Sequence, residues 1–202
     1  MDDNSSIKFT NKEFANLRHL LDNEVEELLP IDQGNDELIG VIRQRWCFRR
    51  GIGFFAIRKW QTENKFYELE QIKDWKAKKN IHIAKLIAAE MYQFVTKTFN
   101  SLAGFSVTSA PKHKTGFANL IAQELAKLLN IDYIIMFEQK IEPNAKRSIF
   151  GDRPPINLIA QVDKVLFIDD VVTTGRTLEM CRQLVEGTFI PLIWLYDDTP
   201  VI

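Results

Sequence analysis

One stretch constrains this chain more than any other: Val165-Leu-Phe-Ile-Asp-Asp-Val-Val-Thr-Thr-Gly-Arg-Thr177. The apolar run Val165 to Ile168 reads as a buried strand. It delivers two adjacent carboxylates, Asp169 and Asp170, to its C-terminal end, the end at which open parallel sheets bind ligands. Strand alternation predicts that the two acids leave on opposite sides. Thr173, Thr174, Gly175 and Thr177 then surround the start of the next helix. Small side chains and a glycine let backbone N–H groups approach an anion, and a helix N-terminus favours phosphate there. No lysine stands where GxxxxGK[ST] requires one, so the stretch does not read as a P-loop. The spacing suits a ligand with a phosphate at one end and a diol some ångströms away. A ribose 5-phosphate has that shape.

The flanking sequence alternates strands and helices. Phe105–Ser109 is an expected strand, Phe117–Leu129 a helix with Leu120, Ile121, Leu125 and Leu128 on its apolar positions, and Asp132–Phe137 a buried strand. Lys164–Ile168, a helix over Thr177–Val185 and a last strand Phe189–Tyr196 follow. Such alternation predicts an α/β fold with a mostly parallel sheet flanked by helices. Upstream, residues 81–99 read as an amphipathic helix. IGFFAI (52–57) and KFYEL (65–69) read as a hairpin, with a short helix from Gln71 to Lys78 after it. Asp36–Phe48 reads as a helix broken by Gly51 and Gly53, and the capping box Thr10-x-x-Glu13 opens a further helix that Pro30 stops. The polar stretch from Glu138 to Gln161 is too long for an ordinary βα connection. Its Lys140, Lys146, Arg147 and Arg153 suggest a lid that contacts phosphate.

The formal net charge of −1 hides a division. Residues 1–37 carry ten acids against three bases, a balance of −7, which leaves +6 for the remainder. An anionic ligand would prefer the second part. Cys47 and Cys181 lie far apart among only three histidines, so neither a zinc ribbon nor a disulfide framework has the residues to build it. Both are expected as buried small hydrophobes. The acidic N-terminus has no secretory pattern and no apolar run approaches a membrane span, which predicts a cytoplasmic protein.

Residues 165–177 resemble the phosphoribosyl pyrophosphate (PRPP) motif of type I phosphoribosyltransferases. The resemblance covers roughly residues 65–200. Phe105–Leu129 is similar to that family's strand, pyrophosphate loop and helix, and the Gly-Phe-x-Asn arrangement, Tyr67–Val95 and Arg153-x-x-x-Asn157 resemble the ComF branch. The type I fold is what this resemblance implies, with a phosphoribosyltransferase domain over 65–202 and an N-terminal helical extension or hood over 1–64. It further implies that Val171, Val172, Thr173, Thr174, Gly175, Arg176 and Thr177 hold the 5-phosphate. Asp169 and Asp170 would serve the ribose hydroxyls and Mg2+, Lys112, His113 and Lys114 the pyrophosphate, and Lys140, Lys146 and Arg147 a flexible lid. PRPP and a small-molecule acceptor are the implied partners, in a chain that could pair as a homodimer.

The chain departs from the family pattern in several places. It has no cysteine ribbon, Thr115 stands where an arginine usually precedes Gly-Phe, and Thr173 stands where 6-oxopurine enzymes carry an aspartate, which disfavours hypoxanthine and guanine as acceptors. The ComF likeness implies an alternative role in DNA uptake or processing, or PRPP sensing with little turnover. Arg43, Arg45, Arg49 and Arg50, with Trp46 and Phe48, mix cations and stacking surfaces in the way single-stranded nucleic acid requires.

Overall fold

The computed structural model describes residues 37–60, 65–111, 116–139 and 155–197. The chain divides into two units, Met1–Gln33 and Gly34–Ile202. The first, with the helix expected to end at Pro30, lies outside the described residues, and every element named below belongs to the second. In chain order the elements are β1 (Val41–Arg49), β2 (Ile52–Lys59), α1 (Lys65–Lys78), α2 (Ile81–Thr98), β3 (Ser106–Ser109), α3 (Phe117–Leu129), β4 (Phe137–Gln139), β5 (Ile156–Leu158), β6 (Lys164–Val172), α4 (Arg176–Gln183) and β7 (Thr188–Tyr196).

The main sheet runs β1-β2-β7-β6-β3. Three of its four pairings are parallel, β2 with β7, β7 with β6 and β6 with β3; only the edge pair β1–β2 is antiparallel. This is the mostly parallel, helix-flanked sheet that the sequence predicts. Val165 and Phe167 of β6 look into one core layer with Leu178, Cys181 and Val185 from α4 and its end, where Phe167 stacks on Phe189 at 5.0 Å. Leu166, Ile168 and Trp194 are buried outside that cluster, on the face where α3 packs against α2, β3 and β6. Burial on both faces is why β6 and β7 read as continuous apolar runs.

The connections diverge at β6 and β3. From β6 the chain passes through α4 on one face to β7. From β3 it passes through α3 on the other face and returns beside β3 on the far side, where the Val107 amide donates to the Asp132 carbonyl at 2.8 Å and the Ile134 amide to the Val107 carbonyl at 2.9 Å. Neighbouring strands whose crossovers depart in opposite directions leave a crevice at their C-terminal ends. Asp169 and Asp170 stand at that crevice.

Several expectations need correction. Residues 41–49 form an edge strand rather than the later part of a helix over 36–48. Gly40 (φ +74) interrupts any helical run, and Arg50 (φ +49) with Gly51 (φ +74) makes the two-residue turn of a β-hairpin. That hairpin is β1–β2, so the pairing expected between 52–57 and 65–69 does not form. KFYEL instead opens α1, which buries Glu68, Ile72 and Trp75 at helical spacing and leaves Phe66 and Tyr67 exposed. The strand expected over 132–137 is a single parallel bridge, Val107 to Tyr133. Phe137–Gln139 pairs antiparallel with Ile156–Leu158, so the long polar stretch begins and ends as a ribbon.

Candidate active site

Two turns of the chain meet at the crevice. β6 ends at Val172, and α4 begins after Gly175, whose φ of +72 lies in the left-handed region. The first bond within α4 runs from the Glu179 amide to the Gly175 carbonyl at 2.9 Å, so the positive end of this helix sits at Gly175. Thr173 and Thr174 are exposed beside it, and Gly175 is buried. Next to β6, the Ala110 amide donates to the Ile168 carbonyl at 2.9 Å, so the segment after β3 departs alongside the acids. α3 then opens at Gly116, a second left-handed glycine (φ +65). Lys112, His113 and Lys114 fall between these described flanks and, like Lys140, Lys146 and Arg147, lie outside the described residues.

Both carboxylates are buried, and opposite layers address them. On the α1 side, the Lys76 ammonium lies 2.9 Å from Oδ1 and 2.9 Å from Oδ2 of Asp170. Asp169 continues the Val165 and Phe167 row towards α4 and accepts the Asp170 amide on Oδ1 at 2.9 Å. Burial, and after it the charge of Asp170, push the Asp169 carboxyl up from 3.8 to about 8. Burial, and then Asp169, also push the Cys181 thiol up, which leaves this cysteine inert. Cys47 is likewise buried.

The fit of a divalent cation can be judged from these groups. Mg2+ demands near-octahedral oxygen ligands. Here an ammonium already sits symmetrically on Asp170, and among the described residues no group of three His, Cys, Asp or Glu side chains converges. The described residues do not fit a cage for Mg2+.

The β1–β2 turn closes the loop from the side. Arg49 Nε donates to the Thr173 carbonyl at 3.3 Å and its Nη2 to the Asp197 carbonyl. Arg50 Nε donates to the Thr174 carbonyl at 3.1 Å, and its Nη1 pairs with Glu179 at 3.3 Å. The Arg45 guanidinium stacks over the Tyr196 ring at 4.7 Å. Three of the four arginines considered for single strands are therefore occupied with their own chain, and Arg43 is exposed. A cavity of about 160 Å³ lies among Arg45, Cys47, Arg49, Phe54 and Tyr196, beside the threonine loop.

No family model matches the chain, and no curated protein does. Among solved structures, a Trypanosoma cruzi hypoxanthine phosphoribosyltransferase shares 13% identity over 60% of this chain and 69% of that one, with a TM-score of 0.38. A Bacillus anthracis hypoxanthine-guanine phosphoribosyltransferase shares 12% identity over 61% and 74%, with a TM-score of 0.36. The neighbours are phosphoribosyltransferases.

Sequence reasoning missed Lys76, Arg49 and Arg50 as parts of this site. Lys76 sits in a run of lysines with nothing to single it out. Arg49 and Arg50 become legible only once Arg50-Gly51 is read as a hairpin turn, since the turn is what aims both side chains at residues 173 and 174.

A buried network fixes the hairpin to the rest of the sheet. Arg58 of β2 pairs with Glu90 of α2 through Nε at 2.9 Å and Nη2 at 2.5 Å, and its Nη1 donates to the carbonyls of Leu38, Ile39 and Gly40. Glu90 also accepts the Trp194 indole N–H at 3.1 Å. On the rim, Lys65 pairs with Asp197 at 2.5 Å.

Proposed function

We propose that this chain binds PRPP and transfers its phosphoribosyl group to an acceptor with release of pyrophosphate. One observation carries the reading: at the crevice between β6 and β3, buried Asp169 and Asp170 stand near the C-terminal end of β6, and the short loop after that strand leads to a left-handed glycine, Gly175, that opens a helix. The loop 173–177 takes the 5-phosphate through backbone amides and threonine hydroxyls. Asp169 and Asp170 orient the ribose hydroxyls. Lys112, His113 and Lys114 are assigned to pyrophosphate and Lys140, Lys146 and Arg147 to a lid that excludes water. Cleavage of the anomeric bond puts positive character on ribose and negative charge on the leaving pyrophosphate, so cations at pyrophosphate and a dry site lower the barrier. Mg2+ is proposed to arrive on the ligand's own oxygens, where it would neutralise pyrophosphate.

The test is calorimetric binding of PRPP to the wild type and to Asp169→Asn plus Asp170→Asn, followed by pyrophosphate release with a panel of bases and amines. Loss of affinity in the double variant supports the reading, and unchanged affinity overturns it. Binding without release in the whole panel would favour a PRPP-sensing regulator at the same site. The inward contacts of Arg45, Arg49 and Arg50 weigh against the ComF-like single-strand reading, which binding of an oligonucleotide at low salt would revive.

A further inference from the structure

We infer that Lys76 is the built-in cation of the carboxylate pair, holding the face of Asp170 that a divalent metal would need, so that a metal coordinates Asp170 only when Lys76 is withdrawn or removed. The inference rests on the reading of Asp169 and Asp170 as ligand-facing residues, but its test does not use PRPP.

Geometry is the first support. A Nζ equidistant at 2.9 Å from Oδ1 and Oδ2 sits in the fork between the two oxygens, which is where a bidentate metal would enter. A small divalent ion and an ammonium cannot share that fork, because like charges at contact distance in a buried site repel strongly.

The position is also built rather than sampled. Lys76 stands in the last turn of α1, where a cation complements the helix dipole. Its neighbour Trp75 is buried and packs on Trp194 of β7 at 6.4 Å, which fixes the helix end above the sheet. On the same helix, Glu68 is buried and accepts the Gly40 amide at 2.9 Å, tying down the first turn. The side chain of Lys76 is 29% exposed against 9% for Asp170, so the lysine is the more open member of the pair. The groups around it are consistent with one resident cation: Asp170 in direct contact and Asp169 beside it, with no third acid converging among the described residues.

The experiment is a titration of the full chain with Mn2+ alone, followed by electron paramagnetic resonance, in the wild type, Lys76→Met, Lys76→Gln and Lys76→Met plus Asp170→Asn. The wild type is expected to bind Mn2+ weakly. The neutral variants should gain a site at least about tenfold tighter, which the added Asp170→Asn removes. Two neutral variants are used so that one that melts with the wild type is read if the other fails to fold. Lys76→Arg, which keeps the charge, should stay weak. Equal Mn2+ affinity in the wild type and the neutral variants would overturn the inference, as would a gained site that survives Asp170→Asn. Neither result bears on PRPP binding, whose failure would instead remove the functional reading.

Discussion

Gly175 and Arg49 are packed so closely that a Cβ placed on the glycine would fall 2.6 Å from the Cβ of the arginine. The glycine also holds a φ of +72, which L side chains adopt only with strain. The start of α4 and the end of β1 are therefore a single fitted joint, although 126 positions separate them in sequence. Gly175→Ala is expected to cost about 1–3 kcal/mol of stability from backbone strain and to weaken PRPP binding by more than tenfold. Urea unfolding and calorimetry check the two effects. Wild-type affinity in the variant would mean that the loop does not hold phosphate.

Arg49→Ala and Arg50→Ala separate positioning from contact with nucleic acid. Each removes a donor to a loop carbonyl, at 3.3 Å on Thr173 and 3.1 Å on Thr174. A hydrogen bond from a charged donor contributes about 1.5–3 kcal/mol, less where it is exposed as here, so each variant should weaken PRPP severalfold. Amide exchange at residues 173–177 should speed up in parallel. A drop in oligonucleotide binding with PRPP affinity and exchange unchanged would reverse the assignment.

Asp169 predicts an unusual pH profile. Its folded-state value is raised from 3.8 to about 8. Between those values the folded chain holds a proton that the unfolded chain has released, so stability declines as pH rises from about 4 to about 8. Denaturation at several pH values, with divalent ions chelated, should show this slope, and Asp169→Asn should flatten it. A slope unchanged in the variant would assign it to other groups.

Buried Arg58 and partly buried Glu90 make a pair that also satisfies Trp194 and three carbonyls. Removing Glu90's charge leaves the Arg58 guanidinium buried, so Glu90→Gln should cost about 3–5 kcal/mol, and Arg58→Met, which leaves the partly exposed Glu90, should cost less. Thermal melts of the two variants and of their combination check this, with the double variant expected to lose less than the sum.

How far the sequence could be read follows from where each residue's partners lie. The parallel core was legible because β6 and β7 are apolar on both faces and α2 and α3 are amphipathic, so local pattern and tertiary burial agree. The carboxylate-to-glycine stretch was legible because its elements are contiguous. The edge hairpin was not. Ile42 and Trp46 fall at helical spacing by coincidence, and Trp46 is placed by Phe55 and Gly53 across the turn, contacts that a helical reading does not supply. KFYEL misled in the opposite sense: two aromatics that look like strand residues are exposed on α1, and the informative positions are Glu68, Ile72 and Trp75. Lys76 was invisible because its partner, Asp170, lies 94 residues away.

The antiparallel edge has a consequence for how such a site could be altered. β1 is hydrogen-bonded to β2 alone among the sheet strands, while β2, β7, β6 and β3 form the continuous parallel body. The outermost strand, β1, can therefore be exchanged without cutting any parallel pairing. Because its tip rests on residues 173 and 174, each exchange would also reset the loop between β6 and α4, the part proposed to hold phosphate. The least constrained strand of the sheet is thus a natural point of adjustment, and libraries that vary Arg45 to Arg50 while keeping Gly51 and Gly175 would retune ligand choice on an unchanged frame.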